Sequence, residues 1–309
     1  MMMKYIHSFF LLICINAFCF GQHDIWSTFK YTDGIAQVPS LAGFKGGSLS
    51  LNQQWMYAGL SGAPVVTLGT VHSSFNENKL GAGLVFNAAA SNVRRQMTVS
   101  LPLAYHLDLS EDFFLSFGLM PSVFSSQVDA GKITNEIIED QWYSDESKYS
   151  AVDLSFSSHI NYKIAELGFS VKNISNWQSA EGPASLMLFS TFYIPLKDEF
   201  DLLEPSFILE RTNAGLWRLT AYTYYAFFER LIVGVGYKSS ASVLGSVGYS
   251  VDNRLIVGYQ YINQLNALQA GVSHSHEITF RLNFNQRYHH QRKFSILAKP
   301  RSGMSSEKL

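Results

Sequence analysis

Apolar and small polar residues alternate along one segment after another of this chain, and past the first twenty residues no stretch approaches the ~18 consecutive apolar residues of a membrane helix. Between Glu277 and Phe284, Ile278, Phe280, Leu282 and Phe284 share one face, and Glu277, Thr279, Arg281 and Asn283 share the other. Met97, Val99, Leu101, Leu103, Tyr105 and Leu107 alternate with Thr98, Ser100, Pro102, Ala104 and His106. Phe113, Leu115, Phe117 and Leu119 alternate with Phe114, Ser116 and Gly118. Val152, Leu154 and Phe156 oppose Asp153, Ser155 and Ser157, and Leu255, Val257, Tyr259 and Tyr261 oppose Arg254, Ile256, Gly258 and Gln260. Strand side chains point to opposite faces in turn, so the pattern predicts two-faced β-strands. A soluble sandwich shares this alternation. Two features favour a membrane barrel with its apolar face outward. The polar face is mostly Gly, Ser and Thr rather than Lys and Glu, and Tyr57, Tyr105, Tyr193, Tyr237 and Tyr261 sit near strand ends as an interfacial girdle requires.

Composition agrees. Charged residues are 15% of the chain, against about 25% in an average soluble domain. Aromatic residues reach 14% and hydrophobic ones 47%. A formal net charge of −1 argues against a general nucleic-acid binder, which carries a basic excess. Lys4 followed by the apolar stretch Phe9 to Phe20 reads as a signal peptide over residues 1–21, cleaved near Gly21-Gln22. Phe18 stands before Cys19 where a lipobox needs a small residue, which argues against lipidation. Both cysteines, Cys14 and Cys19, fall inside the removed segment. The mature chain is then expected to have no disulfide and no Cys-ligated metal.

About fourteen strands are predicted, near 47–57, 63–73, 79–88, 94–108, 112–127, 151–161, 164–172, 184–195, 203–210, 215–226, 230–238, 242–250, 254–262 and 276–285. The expected fold is an all-β, antiparallel transmembrane outer-membrane barrel over 47–285. Connections after even strands are short and polar: Asn76-Glu77-Asn78, Ser110-Glu111-Asp112, Lys197-Asp198-Glu199 and Asp252-Asn253. Those after odd strands include the three longest, near 128–150, 173–183 and 263–275. Outer-membrane barrels have short periplasmic turns and longer extracellular loops, so both termini are expected in the periplasm. Residues 22–46, with Pro39, Gly43 and Gly46, read as an irregular segment that plugs the lumen or packs under the barrel. Residues 286–309 read as a basic periplasmic tail with six Lys/Arg and a lone acid, Glu307.

The run Asn52-Gln53-Gln54-Trp55, followed by Leu60-Ser61-Gly62-Ala63-Pro64, resembles the PorP/SprF family of Bacteroidetes outer-membrane proteins. Pro39-Ser40-Leu41-Ala42-Gly43 is similar to that family's Asn-Pro-Ala-Tyr-Ala-Gly stretch, but has Val38 before the proline and Ser40-Leu41 in place of Ala-Tyr. Ser275-His276-Glu277-Ile278 with terminal Phe284 resembles its last strand. The resemblance runs over about 22–285. It implies a place in type IX secretion and gliding, linked to export or surface retention of large adhesins bearing a C-terminal sorting domain. The implied partners are that client, other type IX components and outer-membrane lipid. In purely physical terms, Gly62-Ala63-Pro64 reads as a tight first hairpin and Trp55 as a girdle aromatic.

His274-Ser275-His276 puts two imidazoles on one face, with Glu277 following; a metal needs at least one further ligand, and a lumenal or loop polar role is the expectation. His289-His290 lies in the basic tail and reads as solvated. The loop near 128–150 holds Asp129, Glu136, Glu139, Asp140, Asp145 and Glu146 with Trp142, Tyr143 and Tyr149, without EF-hand spacing. The loop reads either as a solvated surface loop or as a partner-binding one; since exposed aromatics anchor partners, Trp142, Tyr143, Asp140, Asp145 and Glu146, with Trp177 in the next long loop, are candidate client contacts. No Gly-x-Ser-x-Gly elbow, His-Glu-x-x-His or phosphate loop occurs, so no enzyme and no cofactor are expected. The rival to a secretion role is a transport barrel for a small or hydrophobic solute, since about fourteen strands leave room for a lumen.

Overall fold

A computed structural model describes residues 34–76, 78–110, 112–129, 147–176, 184–196, 201–211, 216–228, 230–251, 254–265 and 274–284. Sixteen hydrogen-bonded strands form one antiparallel sheet. In chain order they are β1 (Gly47–Trp55), β2 (Val65–Phe75), β3 (Leu80–Ala90), β4 (Arg94–Ser100), β5 (Leu103–Ser110), β6 (Phe113–Val128), β7 (Ser147–Tyr162) and β8 (Ala165–Lys172). The second half comprises β9 (Ser185–Phe192), β10 (Ile194–Pro195), β11 (Leu202–Arg211), β12 (Trp217–Phe227), β13 (Leu231–Lys238), β14 (Ser242–Val251), β15 (Leu255–Gln264) and β16 (His274–Phe284). Consecutive strands pair, except that β4 and β5, and likewise β9 and β10, lie end to end along one wall position, and β1 pairs with β16, so the sheet closes on itself. Closure removes the unpaired edges that hydrocarbon cannot satisfy.

Two of the wall strands are interrupted, which reduces sixteen segments to a barrel of 14. β4 and β5 both pair with β3 and with β6, and the break between them is Leu101-Pro102. Pro102 has no N–H to give to the ladder. Its carbonyl still accepts from Gly83 N at 2.9 Å, and Leu101 N donates to Pro121 O at 2.9 Å, so the wall stays sealed across the break. β9 and β10 both pair with β11 and are interrupted at Tyr193. All fourteen stretches expected from alternation are strands here.

Facing follows the alternation. On β1, Leu49 and Leu51 are exposed while Ser48, Ser50, Asn52 and Gln54 are buried; on β16, Phe280, Leu282 and Phe284 are exposed while Ser275, Glu277, Thr279, Arg281 and Asn283 are buried. Leu103 and Leu282 point out, Ser100 and Thr279 point in. A wall whose outer face is apolar and whose inner face is polar suits lipid outside and a polar lumen. Tyr105, Tyr237 and Tyr261 lie on the outer face as girdle residues should. Tyr193 does not. It is buried, on the inner side, where its hydroxyl donates to Glu166 Oε2 at 2.6 Å. It shares the parity of Met187 and Thr191, the buried positions of β9.

The connections fall into two sets. Those at the end where β1 begins are short, as at Lys163-Ile164 between β7 and β8; we call this the turn end. Those at the other, loop end include 129–146, 173–184 and 265–273. No helix among the described residues is long and apolar enough to cross a membrane; the strands provide the crossing.

Candidate functional site

Two features of the barrel gather the residues that sequence reasoning singled out. The first is the seam where β1 meets β16. Its register sets Gln53 opposite Ile278, Gln54 opposite Glu277, and Trp55 opposite His276. Motif residues from the two ends of the chain are therefore cross-strand neighbours. Side chains directly opposite on an antiparallel pair lie close enough to interact. On the inner side Asn52 Nδ2 donates to Glu277 Oε1 and to Thr279 Oγ1, both at 2.6 Å. Gln260 Nε2 approaches Glu277 Oε2 at 3.4 Å, and Ser246 Oγ donates to Gln260 Oε1 at 3.0 Å. Glu277 is thus fixed in a fully buried amide and hydroxyl network. Gln54 Oε1, also buried, has no hydrogen-bond partner among the described residues. On the outer side Gln53 Oε1 accepts from Thr67 Oγ1 at 2.7 Å, and Trp55 is exposed.

The two imidazoles of the seam are on the outer face, which corrects the lumenal or loop role expected for them. His276 shares the parity of Ile278, not of Glu277. Its Nδ1 is 2.7 Å from Tyr259 Oη, and the His274 ring stacks on Tyr261 at 6.2 Å between centroids. They belong to an outward aromatic band. Among the described residues no group of three or more His, Cys, Asp or Glu is placed to hold a metal ion.

Gly62-Ala63-Pro64 is not a tight hairpin. It closes a longer connection over residues 56–64, in which Met56 N donates to Pro64 O at 3.0 Å. This loop leans both ways. Ala58 N donates to His274 O at 2.8 Å on β16, and Gly62 O accepts from Asn92 N at 3.1 Å beyond β3. Gly62 has φ +76°, and a Cβ there would sit 2.6 Å from Asn92 Cβ, so both backbone and space require glycine.

The second feature is the segment 34–46, laid against the inner wall near the turn end. It begins with two single 3-10 turns, Gly34–Ala36 and Pro39–Leu41. Gln37 O accepts from Ser170 Oγ of β8 at 2.6 Å. Ser40 N donates to Ser157 Oγ of β7 at 2.8 Å, and Ser40 Oγ lies 3.0 Å from His159 Nδ1. Ala42 O accepts from His106 Nε2 of β5 at 2.9 Å, because a carbonyl only accepts. Gly43 N donates to His72 Nδ1 of β2 at 2.8 Å, so the hydrogen of that ring sits on Nε2, facing Ser48 Oγ at 3.0 Å. The Phe44 ring packs edge-on against His159 at 4.4 Å and tilted against His106 at 5.6 Å. The floor beneath is glycine. A Cβ on Gly81 would overlap Ala42 O, and one on Gly118 would overlap Ser40 N. The segment thus arcs along the wall from β8 to β1, held by three histidines and two serines. Nothing in the alternation marks these five residues as a set, although all lie on inward positions.

Residues 1–33, the tail 286–309, and the candidate contacts Asp140, Trp142, Tyr143, Asp145, Glu146 and Trp177 lie outside the described residues.

Three comparisons bear on identity. The profile of the family described as type IX secretion system membrane protein PorP/SprF matches residues 21–282. No curated protein matches the chain. Among solved structures, the fold is similar to the Ralstonia pickettii toluene transporter TbuX, with TM-score 0.53, 9% identity, and 81% of this chain and 93% of that one covered. It is also similar to the P. putida toluene transporter TodX, with TM-score 0.51 and 10% identity over 83% of this chain and 95% of that one. The CymD monoaromatic hydrocarbon channel gives TM-score 0.52 and 11% identity over 83% of this chain and 94% of that one. At such identities the likeness shows an outer-membrane barrel fold and nothing finer. The profile match covers most of the sequence, and the chain belongs to the PorP/SprF family of type IX secretion membrane proteins.

Proposed function

We propose that this outer-membrane barrel assists the export or surface anchoring of a large secreted, adhesin-like protein carrying a C-terminal sorting domain, without itself catalysing a reaction. The observation that carries the reading is family membership over residues 21–282. Both termini are in the periplasm in this reading, the loop end faces outward, and other type IX components are the partners beneath. The long connection 129–146 then stands at the cell surface, and Trp142 and Tyr143 with Asp140, Asp145 and Glu146 form the client contact, with Trp177 beside it. Gliding motility belongs to the same reading where the client is a surface adhesin.

Deletion of the gene is expected to remove a particular exported protein from the surface while leaving solute uptake intact. Replacing Trp142 and Tyr143 with Ala is expected to weaken client retention while the barrel still folds, because aromatic anchors often contribute more than ~2 kcal/mol each. Identical surface proteomes in deletion and wild type would count against the secretion role. A second reading has two observations in its favour: the inner wall from Tyr193 round to β15 carries an apolar cluster of Tyr193, Leu202, Tyr224, Ala226, Ile232 and Ile256, and two of the barrels of similar fold are toluene transporters. In that reading the chain passes a small hydrophobic solute, and a deletion strain loses growth on one carbon source instead.

A further inference from the structure

We infer that Gln53, Trp55, His274 and His276 form a site on the outer wall, at the loop end of the β1–β16 seam, for the phosphorylated head of a glycolipid of the outer leaflet. The choice of leaflet rests on the proposed orientation, in which the loop end faces outward. Cross-strand register brings the residues together. His276 lies opposite Trp55, and Gln53 lies opposite Ile278, one outward position further in. Tyr261 and Tyr259 of β15 complete the patch, opposite His276 and Ile278. At about 3.4 Å per residue and a tilt of about 40°, the nine residues of β1 climb roughly 20–25 Å, close to the height of the apolar band. Trp55 and His276 therefore stand at the upper margin of that band, and Gln53 stands just inside it.

The patch offers hydrogen bonds on a face turned to lipid. Gln53 Oε1 accepts from Thr67 Oγ1 at 2.7 Å, but the Gln53 amide nitrogen, with its two hydrogens, has no protein partner among the described residues. With Tyr259 Oη donating to His276 Nδ1 at 2.7 Å, the ring hydrogen sits on Nε2, which likewise has no partner among them. The His274 ring makes ring contacts, to Tyr261 and His276, and no hydrogen bond among the described residues. Unpaired polar groups are costly beside hydrocarbon, so the patch calls for an acceptor-rich ligand. Its flanks do not: Val65 and Ala88 on one side and Val247 on the other have no polar side-chain atom. Charge agrees. Strands β14, β15, β16, β1 and β2 contain a single acid, Glu277, which is buried on the inner side, so no carboxylate of these strands repels an anion here. An imidazole N–H donates to phosphate whether the ring is neutral or protonated. Trp55 is exposed beside these donors, a flat face suited to a sugar ring, and below them Leu51 and Phe280 are exposed apolar contacts for acyl chains.

The test uses the purified outer-membrane form in phosphatidylcholine nanodiscs, with heat-modifiable migration in gels confirming that each variant has folded. Native mass spectrometry is expected to show wild type retaining lipid A, a phosphorylated and acylated disaccharide, in preference to phosphatidylcholine and to dephosphorylated lipid A. Gln53→Leu, and His274→Ala combined with His276→Ala, are each expected to lower that retention about tenfold, as loss of a hydrogen bond to a charged group should. Should the double variant fail to fold, Gln53→Leu still decides, because leucine suits a lipid-facing strand. Unchanged retention in Gln53→Leu, or no preference for the phosphorylated lipid, would overturn the site. Excess inorganic phosphate is expected to leave the lipid in place; displacement would mark a free-anion site and overturn the lipid as its occupant. In the native outer membrane a photocrosslinker at position 53 is expected to capture glycolipid, and capture of a protein instead would overturn the assignment. Capture of phospholipid, with lipid A still retained in nanodiscs, would overturn the orientation and with it the outer-leaflet occupant. No client is present in the nanodiscs, so that result stands apart from the secretion role.

Discussion

The inner wall of this barrel is filled in two different ways. From β2 to β8 the wall is lined by Gly, Ser and His, and the space is occupied by a separate piece of chain, residues 34–46. From β11 to β15 the wall carries large buried side chains of its own, Tyr224, Ile232 and Ile256 among them. The difference lies in what each half sacrifices. The strap wall loses side-chain volume at Gly81 and Gly118 so that backbone can lie flat on backbone. The opposite wall keeps volume and mixes its apolar cluster with buried polar residues such as Glu204, Ser206 and Gln260. On the first side the filling is a docked segment held by hydrogen bonds to the wall; on the second it is the side chains of the wall strands themselves.

Mutations should separate the two. The largest effect is expected from Ile232→Ala, a fully buried side chain of the self-filled wall, which should destabilise the whole barrel by about 2–5 kcal/mol in urea unfolding. Gly81→Ala should leave that midpoint nearly unchanged and instead expose residues 34–46 to protease. If Gly81→Ala unfolds the barrel as far as Ile232→Ala does, the two walls are not energetically distinct. A smaller contrast sharpens the same point. Ser157→Ala removes the hydroxyl that accepts from Ser40 N, and Ser246→Ala the one that donates to Gln260. Each should cost about 1 kcal/mol. The first should appear as faster amide exchange at Ser40 alone, and the second as a lower global midpoint. The smallest effect lies at the foot of the self-filled wall. Asp201 accepts from Phe228 N at 3.0 Å and Tyr225 Oη at 2.7 Å, and these bonds, the backbone one foremost, hold its carboxyl below the usual carboxylate range. A depressed carboxyl stabilises the fold above its unfolded pKa and loses that contribution as pH falls through the folded one. Tyr225→Phe should move the Asp201 titration back toward the ordinary value, read by carbon NMR of the carboxyl; an unmoved titration would leave the backbone bond as the whole cause.

The strands were legible because period two is a property of the strand itself. Leu282 and Thr279 declare their faces within one segment. The same parity places His276 with Ile278 on the outside; the chemistry of imidazole suggests a lumenal role, and geometry prevails over it. Tyr193 was harder, since Leu186, Met187, Leu188 and Phe189 are apolar on both faces and parity carries little contrast there. The strap was illegible in its particulars. Pro39, Gly43 and Gly46 announce an irregular segment, but Ser40 meets Ser157, and Lys45 meets Tyr193, through closure of the whole sheet. No local pattern encodes such a meeting. The client contacts proposed at Trp142 and Tyr143 rest on residue type alone.

The register of β1 on β16 also has a meaning in time. Gln54 and Glu277, or Trp55 and His276, are neighbours only after every intervening strand has been laid down in order. Contacts so distant along a chain are among the last to form, because loop closure must precede them. The seam is therefore a signature of completion. Its two halves, from opposite ends of the chain, become one surface only in the closed barrel.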